Sequence, residues 1–291
     1  MKPYTPNTDG IFRMPAADYH AAPGVGKHSL DYIADCPLKF ALYRKYGMEP
    51  TDAMEMGTLC HTAVLEPELF GDSFHLKPGT YRDDKGAQKA WSGNSTVCKE
   101  WLAAHTEKPV VTQSELSRIQ NIARNVREHP VVGPLLEEGE AEVSMFARCP
   151  LTGVMRKGRV DWIAKAADGG VWFVDFKFAV DATAQAFVRQ VADLRYYVQH
   201  AYYVDLFELI MGVQPRFLFV AVEKGPMHEK SEHHRIQVYE MHALDVEMGR
   251  NHYTRDLRRY GECLERGEWP SDTDRIKTLE LPKWVRRENA I

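Results

Sequence analysis

Apolar positions along this chain follow two periods, and the change between them divides the sequence into elements. Glu140–Arg148, Val154–Ala164 and Val171–Phe178 are short runs rich in Val, Ile, Phe and Trp, and they predict three consecutive strands. Helices are predicted at about 183–193 and 196–211, then strands at Phe217–Val222 and Arg235–Tyr239 and a helix at about 243–267. Upstream, Ser29 is read as the cap of a helix around Leu30–Ala34, and Pro37–Tyr46 as a second helical stretch. A helix from about Met54 to Leu65 stops at Glu66-Pro67, because proline disfavours helix in the residue before it. Further helices are expected over 96–106 and over 112–128, with a polar surface loop at 75–95. Residues 1–27, rich in Pro, Gly and Ala, read as an irregular arm. Helices around a central strand cluster predict an α/β (α+β) fold: a mixed β-sheet with helices on its faces. Residues 28–291 are expected to form a single domain with a helical C-terminal extension.

Within the strand cluster, Gly158–Ala164 and Val171–Lys177 flank Ala166-Ala167-Asp168-Gly169-Gly170, a composition typical of hairpin loops. A hairpin centred on Asp168 places Asp161 opposite Asp175, with facing side chains about 5 Å apart; a Gly-associated bulge would shift that register by one. Asp175 and Lys177 share a face, and Phe176 points the other way. Two facing carboxylates in so apolar a hairpin need a cation or a proton between them. The plainer reading is a solvated Asp–Lys edge pair. The surrounding Val171, Trp172, Phe173, Val174, Phe176 and Phe178 argue for burial instead.

Composition narrows the function classes. A chain of 291 residues with 44% apolar content supports a packed core. A formal charge of −4 excludes a protein basic all over, so nucleic-acid binding must rest on local groups such as Arg156, Lys157 and Arg159, or Arg255, Arg258 and Arg259, or Lys283, Arg286 and Arg287. Solvated faces carry such groups too. Cys36, Cys60, Cys98, Cys149 and Cys263 are scattered with no CxxC pair, which points to reduced thiols in a cytoplasmic protein. No stretch has membrane-spanning length, so no membrane partner is expected.

Other candidates each have an ordinary reading. Gln199 and Tyr203 lie four apart and can touch one neighbour, in a stripe with Tyr196, Leu206 and Ile210 that also suits a core face. His61 sits on an apolar helix, where a lone histidine is commonly a core residue. Glu142 opens the strand Val143-Ser144-Met145-Phe146 and reads as a surface carboxylate. His228, His233 and His234 look like an exposed turn.

Together these residues resemble a known family. His61, Asp161, Asp175, Lys177, Gln199 and Tyr203, in that order, are similar to the motifs of the RecB-type branch of the PD-(D/E)xK nucleases, and within it to the RecE-like exonucleases of the exodeoxyribonuclease VIII type. The likeness is carried by Gly57-Thr58-Leu59-Cys60-His61 through Leu65-Glu66-Pro67, Glu142-Val143-Ser144 with Thr152-Gly153, Arg159-Val160-Asp161, and Asp175-Phe176-Lys177. Tyr197-Val198-Gln199-His200-Ala201-Tyr202-Tyr203 and Gly212-Val213-Gln214-Pro215 complete it, over residues 28 to 222. The family's usual Thr after the motif lysine is replaced by Phe178.

The resemblance implies a restriction-endonuclease-like core. Asp161, Asp175, Lys177, Gln199 and Tyr203 would be catalytic, and Mg²⁺ (or Mn²⁺) would be held by Asp161, Asp175, His61 and the Phe176 backbone carbonyl, with Glu142 assisting a second metal site. It implies 5′→3′ hydrolysis of linear double-stranded DNA to 5′-mononucleotides in recombination or end resection, as in phage or prophage systems. A ring-shaped homo-oligomer and a RecT-like single-strand annealing partner belong to the same family picture. Alternatives on the same fold are an endonuclease, a single-strand nuclease or a non-catalytic DNA-binding module. With Cys263 alone in the C-terminal region, no iron–sulfur cluster is expected.

Overall fold

The computed structural model describes residues 4–165, 169–271, 273, 276 and 278–281. The loop residues Ala166, Ala167 and Asp168 and the basic group Lys283, Arg286 and Arg287 lie outside the described residues. In chain order the elements are β1 (Gly10–Arg13), α1 (Ala16–Ala21), α2 (Lys27–Asp35), α3 (Pro37–Tyr46), α4 (Asp52–Leu65), α5 (Pro67–Phe70), β2 (His75–Leu76), β3 (Thr80–Arg82), β4 (Gln88–Ala90), α6 (Thr96–Ala103) and β5 (Val110–Val111). They continue as α7 (Gln113–Glu128), α8 (Val132–Leu135), β6 (Gly139–Arg148), β7 (Met155–Lys165), β8 (Val171–Ala179), α9 (Ala184–Asp193), α10 (Tyr196–Met211), β9 (Arg216–Glu223), β10 (Ile236–Tyr239) and α11 (Ala243–Arg266).

The main sheet has the order β1-β6-β7-β8-β9-β10. Every neighbouring pair is antiparallel except β8 and β9, which run parallel through the α9–α10 crossover. It is the mixed sheet expected from the sequence. Helices cover both faces. On one face Leu30 and Ile33 of α2, Val198, Tyr202 and Leu206 of α10, and Leu257 of α11 pack on Met145, Val160, Phe173 and Phe219. On the other, Leu59 and Val64 of α4 and Ile119, Ile122 and Val126 of α7 pack on Ala141, Ala164, Val174 and Phe176. Helix α7 is fixed at its start by a capping box between Thr112 and Glu115, which satisfies two otherwise unpaired amides.

Three local expectations are corrected. Among the described residues, 4–27 are not an irregular arm: β1 pairs with β6 as an edge strand and α1 follows it, with Phe12 and Tyr19 buried on Phe146. Pro and Gly there mark turns between short elements rather than disorder. Ser29 is not a helix cap. Val25 is pinned to β7 by backbone bonds with Met155 and Lys157, so the chain leaves the sheet at Gly26 and α2 begins at Lys27. The polar segment 75–95 contains β2 and the β3–β4 hairpin.

Helix α11 approaches α10 closely at Gly249, where an added Cβ would stand 2.2 Å from the Tyr197 carbonyl oxygen. On the same helix, a Cβ at Gly261 would meet only Val154 and Thr152, at 3.6 and 3.8 Å. Gly249→Ala is therefore expected to destabilise the fold by about 1–3 kcal/mol through overpacking. Gly261→Ala should be neutral or stabilising by up to about 1 kcal/mol through helix propensity. Urea unfolding of the two variants checks this opposition of sign.

Candidate active site

The three central strands carry one acidic residue each at the same level. Trp162 pairs with Val174, so the next position along the hairpin sets Asp161 against Asp175, the register expected from the sequence. Between β6 and β7 the pairs Ala141↔Trp162 and Val143↔Val160 leave Glu142 facing Asp161, but the ladder is interrupted at that level. Glu142 causes the interruption: its φ is 55°, a left-handed conformation costing a non-glycine residue roughly 1–2 kcal/mol. The side-chain alternation reverses across it. Ala141 packs under α4 and α7, whereas Met145, four residues on and of the same parity, joins the α10 core on the opposite face. The row Glu142–Asp161–Asp175 thus sits where the sheet changes face.

Residues from both helical layers converge on that break. From α4, His61 Nδ1 comes within 3.4 Å of Asp161 Oδ2 and has no hydrogen-bond partner, although it is shielded from solvent. Asp161 Oδ2 also accepts the Phe176 amide at 2.8 Å. From α10, the Gln199 amide donates to Asp175 Oδ1, and Lys177 forms an ion pair with Asp175 Oδ2. Tyr203 lies against Gly158, whose missing Cβ would stand 3.2 Å from the tyrosine ring, so the glycine lets α10 settle onto β7. Glu142 is paired with Arg159 at 2.5 Å.

The sequence-predicted residues His61, Glu142, Asp161, Phe176, Asp175, Lys177, Gln199 and Tyr203 are therefore brought into one neighbourhood. Phe176 contributes its amide to Asp161; its ring is buried beneath α4. Gln199 is more than a core residue of the α10 stripe, since it is bonded to a buried carboxylate. His228 and His233 are exposed as expected, but His234 is buried against the Glu223 carbonyl and the Asn125 side chain. Two partners were not read from the sequence. Tyr196 places its ring 4.7 Å from Lys177 Nζ, and its spacing of three from Gln199 was the available signal. Arg159 stands in the Arg159-Val160-Asp161 motif and in a basic group, but its pairing with Glu142 was not read, and its diagonal offset from Glu142 across the β6–β7 pair was the clue.

Electrostatics at the site follow from burial. Asp175 is 1% exposed, and burial pushes its carboxyl up to about 6, with Lys177 opposing the rise and Asp161 adding to it. Burial also raises Asp161, opposed by Lys177 and reinforced by Glu142. Burial pulls Lys177 down, but Asp175 and Asp161 more than offset it and hold the ammonium charged. His61 is lowered to about 4 by burial and by Lys177, so it is a neutral imidazole with a free lone pair at neutral pH. That is the state a metal ligand requires.

A divalent cation fits these donors. Ligand atoms of His61, Glu142 and Asp161 all lie within 4.8 Å of one another, and they form the one such group among the described residues. Two carboxylates and one imidazole suit Mg²⁺ or Mn²⁺, with the imidazole favouring Mn²⁺ somewhat. The unpartnered His61 nitrogen and the facing like charges both call for a positive centre between them.

A mixed sheet between two helical layers, with acidic residues on adjacent central strands and a lysine two positions after the second, defines the PDDEXK-like class of fold. The chain belongs to the family described as PDDEXK-like domain of unknown function (DUF3799), which it matches over residues 29–282. Among solved structures, the crystal structure of "Putative exonuclease" from Eubacterium rectale is similar over 96% of this chain and 99% of its own, with a TM-score of 0.56 at 13% identity. That likeness is one of fold. The crystal structure of SSO0001 overlaps more loosely, covering 79% of this chain and 84% of its own at a TM-score of 0.30 and 12% identity. No curated protein matches the chain.

Cation binding should depend on pH with a definite sign. A carboxyl whose folded-state pKa lies above its unfolded value contributes stability that is present below the unfolded value and lost as pH rises through the folded one. For Asp175 that loss runs from about 4 to about 6, and Asp161 acts in the same direction. A cation takes the place of those protons, so the rise in Tm caused by Mn²⁺ should be small near pH 5 and should grow to a plateau above about pH 7. Thermal unfolding with and without Mn²⁺ across that range checks it; a Tm shift independent of pH would contradict it.

Proposed function

We propose that this chain is a divalent-cation-dependent deoxyribonuclease, and that it acts as an exonuclease of the RecE-like kind on linear double-stranded DNA. The observation that supports the reading best is the row of half-buried Glu142 and Asp161 and buried Asp175, with Lys177 beside it and the unpartnered His61 nitrogen near Asp161. A purely structural role gives no reason for burying like charges together at a strained residue.

His61, Glu142 and Asp161 would hold the cation, with Asp175 beside them, and the Phe176 carbonyl is the further ligand that the RecE-like resemblance implies. When bound, Mg²⁺ or Mn²⁺ polarises the scissile phosphate and lowers the pKa of water beside it. Lys177, held charged by Asp175, places its ammonium where negative charge builds on the phosphoryl oxygens. Gln199 fixes Asp175, and through it the position of Lys177, while the Tyr196 ring supports the ammonium from below. Tyr203 closes the α10 side of the site, its hydroxyl kept protonated chiefly by burial. The products carry a 5′-phosphate. Polarity from 5′ to 3′, a ring-shaped oligomer and a RecT-like annealing partner are the further properties that the RecE-like resemblance brings to this reading. Residues 28–291 are read as one nuclease domain, to which β1 adds an edge strand.

The test is digestion of linear duplex DNA labelled separately at its 5′ and 3′ ends, in Mg²⁺ and in EDTA, beside a closed circle. Early release of the 5′ label as mononucleotide, with the circle intact, is expected; a nicked circle would make the chain an endonuclease. Asp175→Ala and Lys177→Ala should each lower the rate by about 10²–10³-fold or more. Gln199→Ala should lower it about ten-fold, equivalent to one or two hydrogen bonds. Near-normal cleavage by the Lys177 variant would remove the assignment.

A further inference from the structure

A trough of about 990 Å³ opens from the site toward α1, α2 and α3, and Asp161 and Tyr203 line its inner end. Its walls are cationic in a chain whose formal charge is −4. Arg159 is neutralised by Glu142 and Lys27 by Asp31, and Arg148 at the far wall donates to the Gly153 carbonyl; two further cations matter here. Lys157 donates its three ammonium bonds to the carbonyls of Tyr19, His20 and Ala22, at 3.0, 3.1 and 2.8 Å. Arg44 lies over the Phe40 ring at 5.8 Å. Among the described residues no carboxylate forms an ion pair with either. Burial first, and then the nearby Arg44 charge, push the Lys157 ammonium down to about 8. Two like charges close enough to disfavour one another, on the wall of an open trough, favour an anion between them.

An aromatic cluster borders the same trough: His28 and Tyr43 line it, and Tyr32 is stacked on Tyr43. Tyr32 and Tyr43 are stacked with ring centroids 4.7 Å apart, and His28 packs edge-on against them at 5.0 and 6.0 Å. His28 is exposed, the two tyrosines are half-exposed, and Met48 beside them is 47% exposed. Free phosphate or an acidic peptide would satisfy the cations but leave the rings without a partner. A single strand of nucleic acid offers a charge at every residue together with a flat π-face.

We propose that this trough binds one unpaired strand of nucleic acid and leads it to Asp161, with backbone phosphate held by the exposed Arg44 in the field of the Lys157 charge and a base stacked on the His28–Tyr32–Tyr43 cluster. The assignment rests on the nuclease reading for its direction into the site, but its recognition chemistry can be tested without cleavage. The stacking contact is tolerant of base identity, and the phosphate contact is blind to it.

The experiment measures anisotropy of a fluorescent oligothymidine and of an abasic oligonucleotide of the same length, both in EDTA. The full chain is compared with its His28→Ala, Tyr43→Ala and Arg44→Ala variants, each checked for folding by urea unfolding. The wild type should bind the oligothymidine about ten-fold or more tightly than the abasic strand. His28→Ala and Tyr43→Ala should shrink that ratio toward one while leaving abasic binding unchanged. Arg44→Ala should weaken both strands alike and reduce the salt slope by about 0.7. Should Tyr43→Ala fail to fold, the exposed His28 carries the same comparison. Equal wild-type affinity for the two strands, or an Arg44→Ala variant with unaltered affinity and salt slope, would overturn the proposal. A chain that shows the base-dependent binding but never cleaves in Mg²⁺ or Mn²⁺ would sink the nuclease reading and leave the trough. One that cleaves without base-dependent binding would do the reverse.

Discussion

The constraint on which the rest of the structure depends is the placing of buried Asp175 and half-buried Asp161 opposite each other in the middle of a sheet. Two facing carboxylates in a low-dielectric interior repel strongly, and each loses its hydration as well. The protein answers with a lysine two residues along the same strand, an amide from α10 on one carboxylate, and a backbone amide on the other. These partners are fewer than the charges require. The carboxyls accordingly hold protons to a higher pH than usual, and His61 is left with a free nitrogen. The deficit has the shape of a cation.

The helical layers can be understood as the means of delivering those partners. Helix α4 brings His61 from one side of the sheet, and α10 brings Gln199, Tyr203 and the Tyr196 ring from the other. They meet at one level because the β6–β7 ladder is interrupted there by the left-handed conformation of Glu142. The start of α10 is itself anchored. Arg195, also left-handed, pairs with Asp31 of α2 and with the buried Asp256 of α11, so three helices fix the register from which Gln199 and Tyr203 project. Strain at two residues, offset by ion pairs around them, is how a layered α/β core concentrates its polar groups at one place.

Much of this was legible in the sequence. The apolar strands between residues 140 and 222 declared themselves by period and length, and the Gly-rich loop fixed the register that faces Asp161 with Asp175. The order of His61, Asp161, Asp175, Lys177, Gln199 and Tyr203 pointed to the fold. What escaped was set by tertiary contact. The β1–α1 segment looks irregular because its residues are held by pairing with β6 and by burial on Phe146, not by local propensity. The start of α2 is dictated by the attachment of Val25 to β7 rather than by Ser29. Nothing in Glu142-Val143-Ser144 announces a left-handed glutamate, and the uncompensated pair of Arg44 and Lys157 spans residues too far apart in sequence to be associated by pattern.

The account stands on the claim that His61, Glu142 and Asp161 together form a cation site. Calorimetric titration of Mn²⁺ into the wild type, His61→Ala and Asp161→Asn at neutral pH tests it most directly. Saturable binding by the wild type, weakened at least about ten-fold in His61→Ala and lost in Asp161→Asn, is the predicted result. Equal binding by all three chains, or none by the wild type, would contradict it.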